Sequence, residues 1–278
     1  MKNLTASIVV YKNDINMLDE AIKSCIQGLS NLQLHVIDNS PTNEASVLQN
    51  KYDFKYSFNN KNLGFGKAHN LVLKEIINSS DYHIIVNPDV FFEPDVIPKL
   101  YNYMEANKDV GVIMPKVLYP NGQLQYLCKL LPKPHNLVYR RFFKLIGKKL
   151  DKCNHSYEMR FTGYDKIMDV PFVSGCFMFV RTEALKKIGL FDERIFLYTE
   201  DVDLSRRINR HFKTKFFPEA VIYHHHNRQS YKDMRTLWHH IESAVNYFNK
   251  WGWFVDKERD AINNKVLQQS YVIDETQG

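Results

Sequence analysis

Five stretches of the chain carry side chains suited to chemistry. Ile37-Asp38-Asn39-Ser40-Pro41 ends a β-branched run in a carboxylate that can accept the imino N–H of a pyrimidine base, although an Asx residue ahead of Ser-Pro also starts turns readily. Asn59 to Asn70 places Gly64 and Gly66 at the opening of a helical pattern. There, backbone amides can approach a phosphate at the positive helix end. The stretch lacks the third glycine of G-x-G-x-x-G and the Lys-Ser/Thr pair of a Walker A loop. Asn87-Pro88-Asp89 is a turn dipeptide followed by one acid. A single oxygen ligand at a strand end also suits Mg²⁺ or Mn²⁺ when phosphates and waters supply the other ligands. Glu200, Asp201 and Asp203 crowd a helix N-terminus, where acids favour the dipole but three exceed what a cap needs. His224-His225-His226 closes a strand, so alternation turns His224 and His226 to one face and His225 to the other.

These stretches need elements to position them, and the first half of the chain supplies a βαβ rhythm. Strands are predicted over Ala6 to Tyr11, Gln33 to Asp38, Phe54 to Phe58 and Tyr82 to Val86. Helical patterns fall between them, over roughly Ile15 to Gly28, Asn43 to Lys51 and from Gly66. Continuous runs such as Ile84-Ile85-Val86 suit parallel strands buried on both faces. Ligands of such sheets sit beyond the carboxyl ends of the strands. Tyr11 to Asn13, Asp38 to Pro41 and Asn87 to Asp89 are therefore expected on one rim. Order resumes with Val170 to Val180, a helix near Thr182 to Ile188 and another after Thr199. The last strand is Phe216 to Tyr223. Met234, Leu237, Trp238, Ile241, Val245 and Phe248 then keep the spacing of one amphipathic helix, and the polar tail after Asp256 is expected to fray.

Composition bounds the class. With 278 residues, 44% apolar and 24% charged, the chain is an ordinary globular protein rather than a fibrous, disordered or disulfide-built one. Its longest uncharged apolar stretch, Val170 to Val180, falls well short of the roughly 20 residues a bilayer span requires. The N-terminus shows no signal-peptide pattern, so a cytoplasmic location is expected. The four cysteines lie far apart and are read as reduced thiols. The net charge of +6 comes entirely from Lys133 to Lys166, which holds nine Lys/Arg against three Asp/Glu. No nucleic-acid-binding module accompanies it, and no nucleic-acid partner is expected. Within it, residues 134–152 mix apolar and basic side chains in the manner of an interfacial amphipathic helix, a candidate membrane contact.

Taken in order, Ser7 to Tyr11, Val36 to Ser40, Asn62 to Gly66 with Asn70, Asn87 to Asp89, Val173 to Cys176, Gly189 to Glu193, Tyr198 to Arg207, and Pro218 to Ala220 with His224 resemble the family-2 glycosyltransferases. The similarity is strongest to the rhamnosyltransferase-like branch that builds bacterial surface polysaccharides such as O-antigen. The resemblance implies a GT-A fold: an α/β, Rossmann-like nucleotide-binding mixed sheet flanked by helices, as one large domain with a C-terminal amphipathic helix. It divides into a nucleotide-sugar half (1–115), an acceptor half (116–256) and a polar tail (257–278). It also implies roles. Asp38 binds the base with Tyr11 against it; Asn62, Gly66 and Asn70 line the ribose and diphosphate; Asp89 and His224 hold Mg²⁺ or Mn²⁺. Asp201 is the catalytic base with Glu200 beside it, and Arg207 takes the arginine position of the substrate site. Asn87 departs from the family's D-x-D by replacing its first acid.

The activity so implied is inverting transfer of a sugar from a nucleoside diphosphate to a glycan or polyprenol-linked acceptor, with dTDP-rhamnose the first donor to consider. The chemistry agrees: a departing diphosphate needs its charge offset, and the acceptor hydroxyl needs a base. Two alternatives are a non-catalytic nucleotide- or nucleic-acid-binding module and a sugar nucleotidyltransferase. The acidic cluster at 200–203 argues against the first, because it would repel phosphate. The second normally opens with a Gly-rich loop, where this chain reads Tyr11-Lys12-Asn13-Asp14.

Overall fold

A computed structural model describes residues 2–29, 31–137, 154–226 and 234–275. Residues 138–153 of the basic segment, and with them most of the expected membrane contact at 134–152, lie outside the described residues. The chain runs β1 (Leu4–Val10), α1 (Ile15–Gly28), β2 (Leu32–Asp38), a 3₁₀ helix (Glu44–Asn50), β3 (Lys55–Phe58), α2 (Phe65–Ile76), β4 (Tyr82–Val86), β5 (Val90–Phe92), α3 (Val96–Ala106) and β6 (Val110–Leu118). A second 3₁₀ turn (Arg160–Thr162) precedes β7 (Met168–Asp169), β8 (Phe177–Arg181), α4 (Thr182–Ile188), α5 (Glu200–Asn209), β9 (Lys213–His224), α6 (Met234–Trp251) and α7 (Lys257–Glu275).

The strands form one mixed sheet in the order β3-β2-β1-β4-β8-β6-β9-β5, with β7 added on β9. β1 pairs in parallel with both β2 and β4. The chain thus leaves β1 to one side and returns on the other, creating a switch point where the carboxyl ends of β2, β1 and β4 open together. The expected rim is therefore real. β8 runs antiparallel between β4 and β6, a reversal that no local pattern announces.

Both faces of the sheet are covered. Tyr82, Ile84, Val86, Phe177 and Phe179 pack into one apolar core with residues of α1 and α3, whereas Ile85, Met178 and Val180 face a second core with residues of α2 and α5. Two-residue alternation therefore buries the side chains of β4 and β8 on both faces, His83 and Arg181 through hydrogen bonds rather than apolar packing. α2 is keyed to the sheet by the Ser7 hydroxyl, 2.7 Å from His69 Nδ1 and 2.7 Å from His83 Nε2. Burial lowers the pKa of both rings and keeps them neutral.

Three local expectations change. Asn43 to Lys51 contains only a short 3₁₀ helix. α6 packs through Ser243, Tyr247 and Phe248, while Trp238, Ile241 and Val245 are exposed on its other side. The segment after Asp256 does not fray at its start: it forms α7, whose buried Asn263 exchanges hydrogen bonds of 2.8 and 3.0 Å with the Leu131 backbone. Among the described residues Cys25, Cys128 and Cys176 are buried and unbridged. No helix among them is long and apolar enough to cross a membrane.

Candidate active site

The rim at the switch point carries a cleft of about 490 Å³ lined by Lys12, Asp14, Asp38, Ser40 and Glu44, among others. Asp38 is buried at its base. Its Oδ1 accepts the Ser40 N–H at 2.8 Å and its Oδ2 accepts the Tyr56 hydroxyl at 2.6 Å. A carboxylate offers about four acceptor positions, so capacity remains for a ligand N–H. Burial, followed by the bond to Asp38, pushes the Tyr56 phenol up and keeps it a donor. Tyr11 stands half-exposed beside the cleft, with the Lys12 ammonium 5.6 Å from its ring centre.

Beyond β4, Asn87 N donates to Cys176 O at 2.9 Å, and the following turn leads into β5. β5 pairs antiparallel with the end of β9, setting Val90 opposite His224. That register brings Asp89 Oδ1 to 3.3 Å from His224 Nε2. Burial opposes ionisation of Asp89, but the hydrogen bond and charge of His224 outweigh it and hold the carboxyl below its usual range. The histidine alternation is as expected: the rings of His224 and His226 lie 5.3 Å apart, and His225 turns to Glu20 on α1.

The acids of α5 separate into three environments. Asp201 reaches back across the site: its Oδ2 accepts the Gly175 N–H at 2.9 Å and its Oδ1 the Val202 N–H at 2.8 Å. Burial raises its pKa, against the pull of those amides and of Lys129. Glu200 is buried, with Oε2 unpartnered and its pKa raised by burial and then by Asp201. Asp203 is wholly buried and structural, bound to Arg207, Trp251 Nε1 and Lys250. Tyr198, just ahead of them, holds φ +92°, a strained value for a bulky residue. The loop is pinned there by Thr199 and Leu197 bonds to Ser243 of α6.

Asp201 and Asp89 therefore flank one short segment, Ser174 to Cys176, which bonds Asp201 through Gly175 N and Asn87 through Cys176 O. His224 joins this centre. Asn62, Gly66 and Asn70 do something else with the contacts they make. Asn62 Oδ1 accepts the Gly64 N–H, and the Phe65 N–H donates to Phe196 O. A Cβ on Gly64 would meet that carbonyl at 2.7 Å, and one on Gly66 would meet Phe191 Cβ at 2.9 Å. The glycines thus admit the 191–196 segment, which packs against their Cα atoms. Asn70 is buried and clamps both the N–H and the C=O of Phe191. Arg207, expected at the substrate, instead binds Asp203 and the carbonyls of Ile188, Gly189 and Leu190, fixing the loop after α4.

Two residues of the centre gave no signal in the sequence. Gln125 bonds His224 through both backbone and ring, and the charge of Lys129 lies near enough to oppose the burial that raises the Asp201 and Cys176 pKa values. Both sit in the Pro/Lys/Tyr-rich stretch after β6, which has no motif.

A switch-point cleft with an acid at its floor, beside a second acid and a His–Asp pair, suits a nucleotide-sugar-dependent glycosyltransferase of the GT-A architecture. The profile of Glycosyl transferase family 2 matches residues 7–189, and the chain belongs to that family, whose members invert. It is similar to the N-acetylglucosaminyl-diphospho-decaprenol L-rhamnosyltransferase of Mycobacterium tuberculosis, 26% identical over 226 residues, 76% of this chain and 73% of the relative. It is also similar to Rhamnosyltransferase WbbL of Escherichia coli K12, 22% identical over 72% of this chain and 76% of the relative. Among solved structures, the mannosyltransferase PcManGT of Pyrobaculum calidifontis, in complex with GDP-Man and Mn²⁺, superposes with a TM-score of 0.57 at 14% identity. That match covers 88% of this chain and 64% of the mannosyltransferase chain, so this chain spans less than two thirds of it.

Proposed function

We propose that the chain transfers a sugar, with L-rhamnose from dTDP-rhamnose the first donor to test, to a hydroxyl of a glycan or polyprenol-linked acceptor in cell-surface polysaccharide synthesis. The observation that carries this reading is the pairing of Asp201 and Asp89 on either side of Ser174 to Cys176. Asp38, with spare acceptor capacity in its cleft, suits a base N–H, and Tyr11 suits the face of the base.

Asp89 and His224 present one hard oxygen and one imidazole nitrogen 3.3 Å apart, a donor pair that fits Mn²⁺ or Mg²⁺. No cluster of three or more His, Cys, Asp or Glu suited to a metal exists among the described residues, so diphosphate oxygens and waters would complete the shell. A bound divalent ion offsets charge on the departing diphosphate. Asp201 takes the acceptor's hydroxyl proton as that oxygen bonds the anomeric carbon. The carbon–oxygen bond to the diphosphate breaks on the opposite face, and the leaving group departs with the electron pair. One base and no enzyme nucleophile give inversion in a single displacement. To the basic stretch 134–152 we assign contact with the inner face of the plasma membrane, where a lipid-linked acceptor resides.

A thermal-shift panel of nucleotide sugars, with and without Mn²⁺ or Mg²⁺, tests the donor, because a ligand that binds only the folded state raises the apparent stability. dTDP-rhamnose should shift the transition more than UDP- and GDP-sugars, and EDTA should remove both the shift and transfer. A larger shift with another sugar nucleotide replaces the donor; transfer at full rate in EDTA removes the metal.

A further inference from the structure

The side chain of Gln125 meets His224 through both of its polar atoms. Gln125 is buried, and its segment is fastened to β6 by Gln125 N–H to Val117 O at 2.9 Å. Its amide nitrogen donates to His224 O at 2.6 Å and to Leu118 O at 3.3 Å. Its amide oxygen lies 3.1 Å from His224 Nδ1. Two peptide carbonyls can only accept, so the NH₂ must face them, and the amide oxygen must face the ring. An amide oxygen can only accept in its turn, so Nδ1 carries the hydrogen. In the neutral ring Nε2 is then the bare nitrogen, and it points at Asp89 Oδ1 from 3.3 Å. Two acceptors at that distance repel each other unless positive charge lies between them, a place that the ring's own second proton or a cation can take.

We propose that Gln125 is a positioning residue: it locks His224 in the Nδ1–H tautomer and thereby prepares Nε2 and Asp89 to share a divalent cation. Free imidazole favours neither this tautomer nor this orientation strongly enough to do so unaided. Outer-shell partners of a ligating histidine commonly fix tautomer and ring angle in this way. The inference deepens the metal reading above and rests on it.

Long-range ¹⁵N–¹H spectra of the metal-free protein report the tautomer directly, with the His224 signals identified by their loss in His224→Asn. The neutral ring of the wild type should show hydrogen on Nδ1 only. In Gln125→Leu the hydrogen should move to Nε2, toward Asp89, and Mn²⁺ affinity, read from the free-ion electron paramagnetic resonance signal without donor present, should fall about 10- to 100-fold. A neutral wild-type ring with its hydrogen on Nε2 overturns the proposal without any variant, so poor folding of Gln125→Leu cannot shield it. Unchanged Mn²⁺ affinity in a folded Gln125→Leu also overturns it. Hydrogen on Nδ1 in a wild type that binds no Mn²⁺ overturns the metal reading separately, because the lock then exists without the ion it was meant to serve.

Discussion

Asp201→Asn separates chemistry from architecture at the proposed base. The carboxylate accepts two backbone N–H groups, from Gly175 and Val202. An amide can serve only one, since its NH₂ would confront the other donor, so one charge-assisted bond is lost, at a cost of about 1.5 to 3 kcal/mol. Part of that is returned because burial already penalises the charge, as the raised pKa shows. A net destabilisation of about 1 to 2 kcal/mol follows, or roughly 2 to 8 °C in Tm for a domain of this size. With an ordinary stability of at least about 5 kcal/mol, over 99% of the variant stays folded at 25 °C. A missing general base, in contrast, slows transfer about 10² to 10⁴-fold, or roughly 2.7 to 5.4 kcal/mol of barrier. Steady-state transfer should therefore lose kcat, while calorimetric donor affinity holds. Glu200→Gln is the control, because its unpartnered oxygen touches no donor. A folded Asp201→Asn that turns over within about threefold of the wild type refutes the assignment of the base; if Glu200→Gln is the inactive variant, the base is Glu200.

Gly64→Ala combines a left-handed φ with a 2.7 Å approach to Phe196 O, whereas Gly122→Ala has a similar φ in open space. Urea unfolding should show a loss of about 1 to 2 kcal/mol for the second and about 1 kcal/mol more for the first, from the broken Phe65–Phe196 bond. Arg207→Ala should lower stability by about 2 to 4 kcal/mol and leave donor affinity unchanged, because Asp203 keeps Lys250 and Trp251 while three carbonyls lose their donor; a selective loss of donor binding would return Arg207 to the substrate site. Glu200, pushed up to about 8 chiefly by burial, binds its proton more tightly folded than unfolded. Unfolding free energy should therefore fall as pH rises from about 4.5 toward 8, with a slope of at most about 1.4 kcal/mol per unit from this group, and Glu200→Gln should flatten that slope in urea titrations across the range.

Much of the donor half was legible because its strands and helices are local patterns. α1 occupies Ile15–Gly28 as read, with Asp14 capping it through the Asn16 N–H at 2.8 Å. β4 likewise occupies Tyr82–Val86. The helix after β9 was located but its face was not. Ala244, Tyr247, Phe248 and Trp251 have the same i, i+3, i+4, i+7 spacing as the Trp238 stripe, and periodicity cannot choose between two apolar faces. Tertiary packing chose the first. The sequence shows Gly64 and Gly66 at the opening of α2 but does not reveal that the 191–196 segment, over a hundred residues later, packs against both. Gln125 was invisible for a related reason. A lone glutamine between apolar residues has no pattern, and its meaning comes only from β9 ending beside it.

The antiparallel entry of β8 is what turns these separate signals into a site. β4 and β8 pair with Val86 opposite Phe177, and one step beyond that register Asn87 N–H meets Cys176 O. The next residue back, Gly175, offers its N–H to Asp201. The spacing between the Asp89–His224 pair and the base is thus set by a single strand register, while α5 is fastened independently through Asp203 to Lys250 and Trp251 of α6. Gly175 itself has a Cβ direction leading to the Phe65 ring at 3.4 Å and to Asp201 Cβ at 3.5 Å. That is ordinary contact, so alanine fits there without displacing the acid. Bulkier side chains do not, and the requirement at position 175 is for smallness beside a carboxylate, not for backbone freedom. A site held this way tolerates change in the helices that carry its acids more readily than a one-residue slip of β8. The slip would exchange the two cores for each other and move the Asp201 anchor away from the Asp89 turn in the same step.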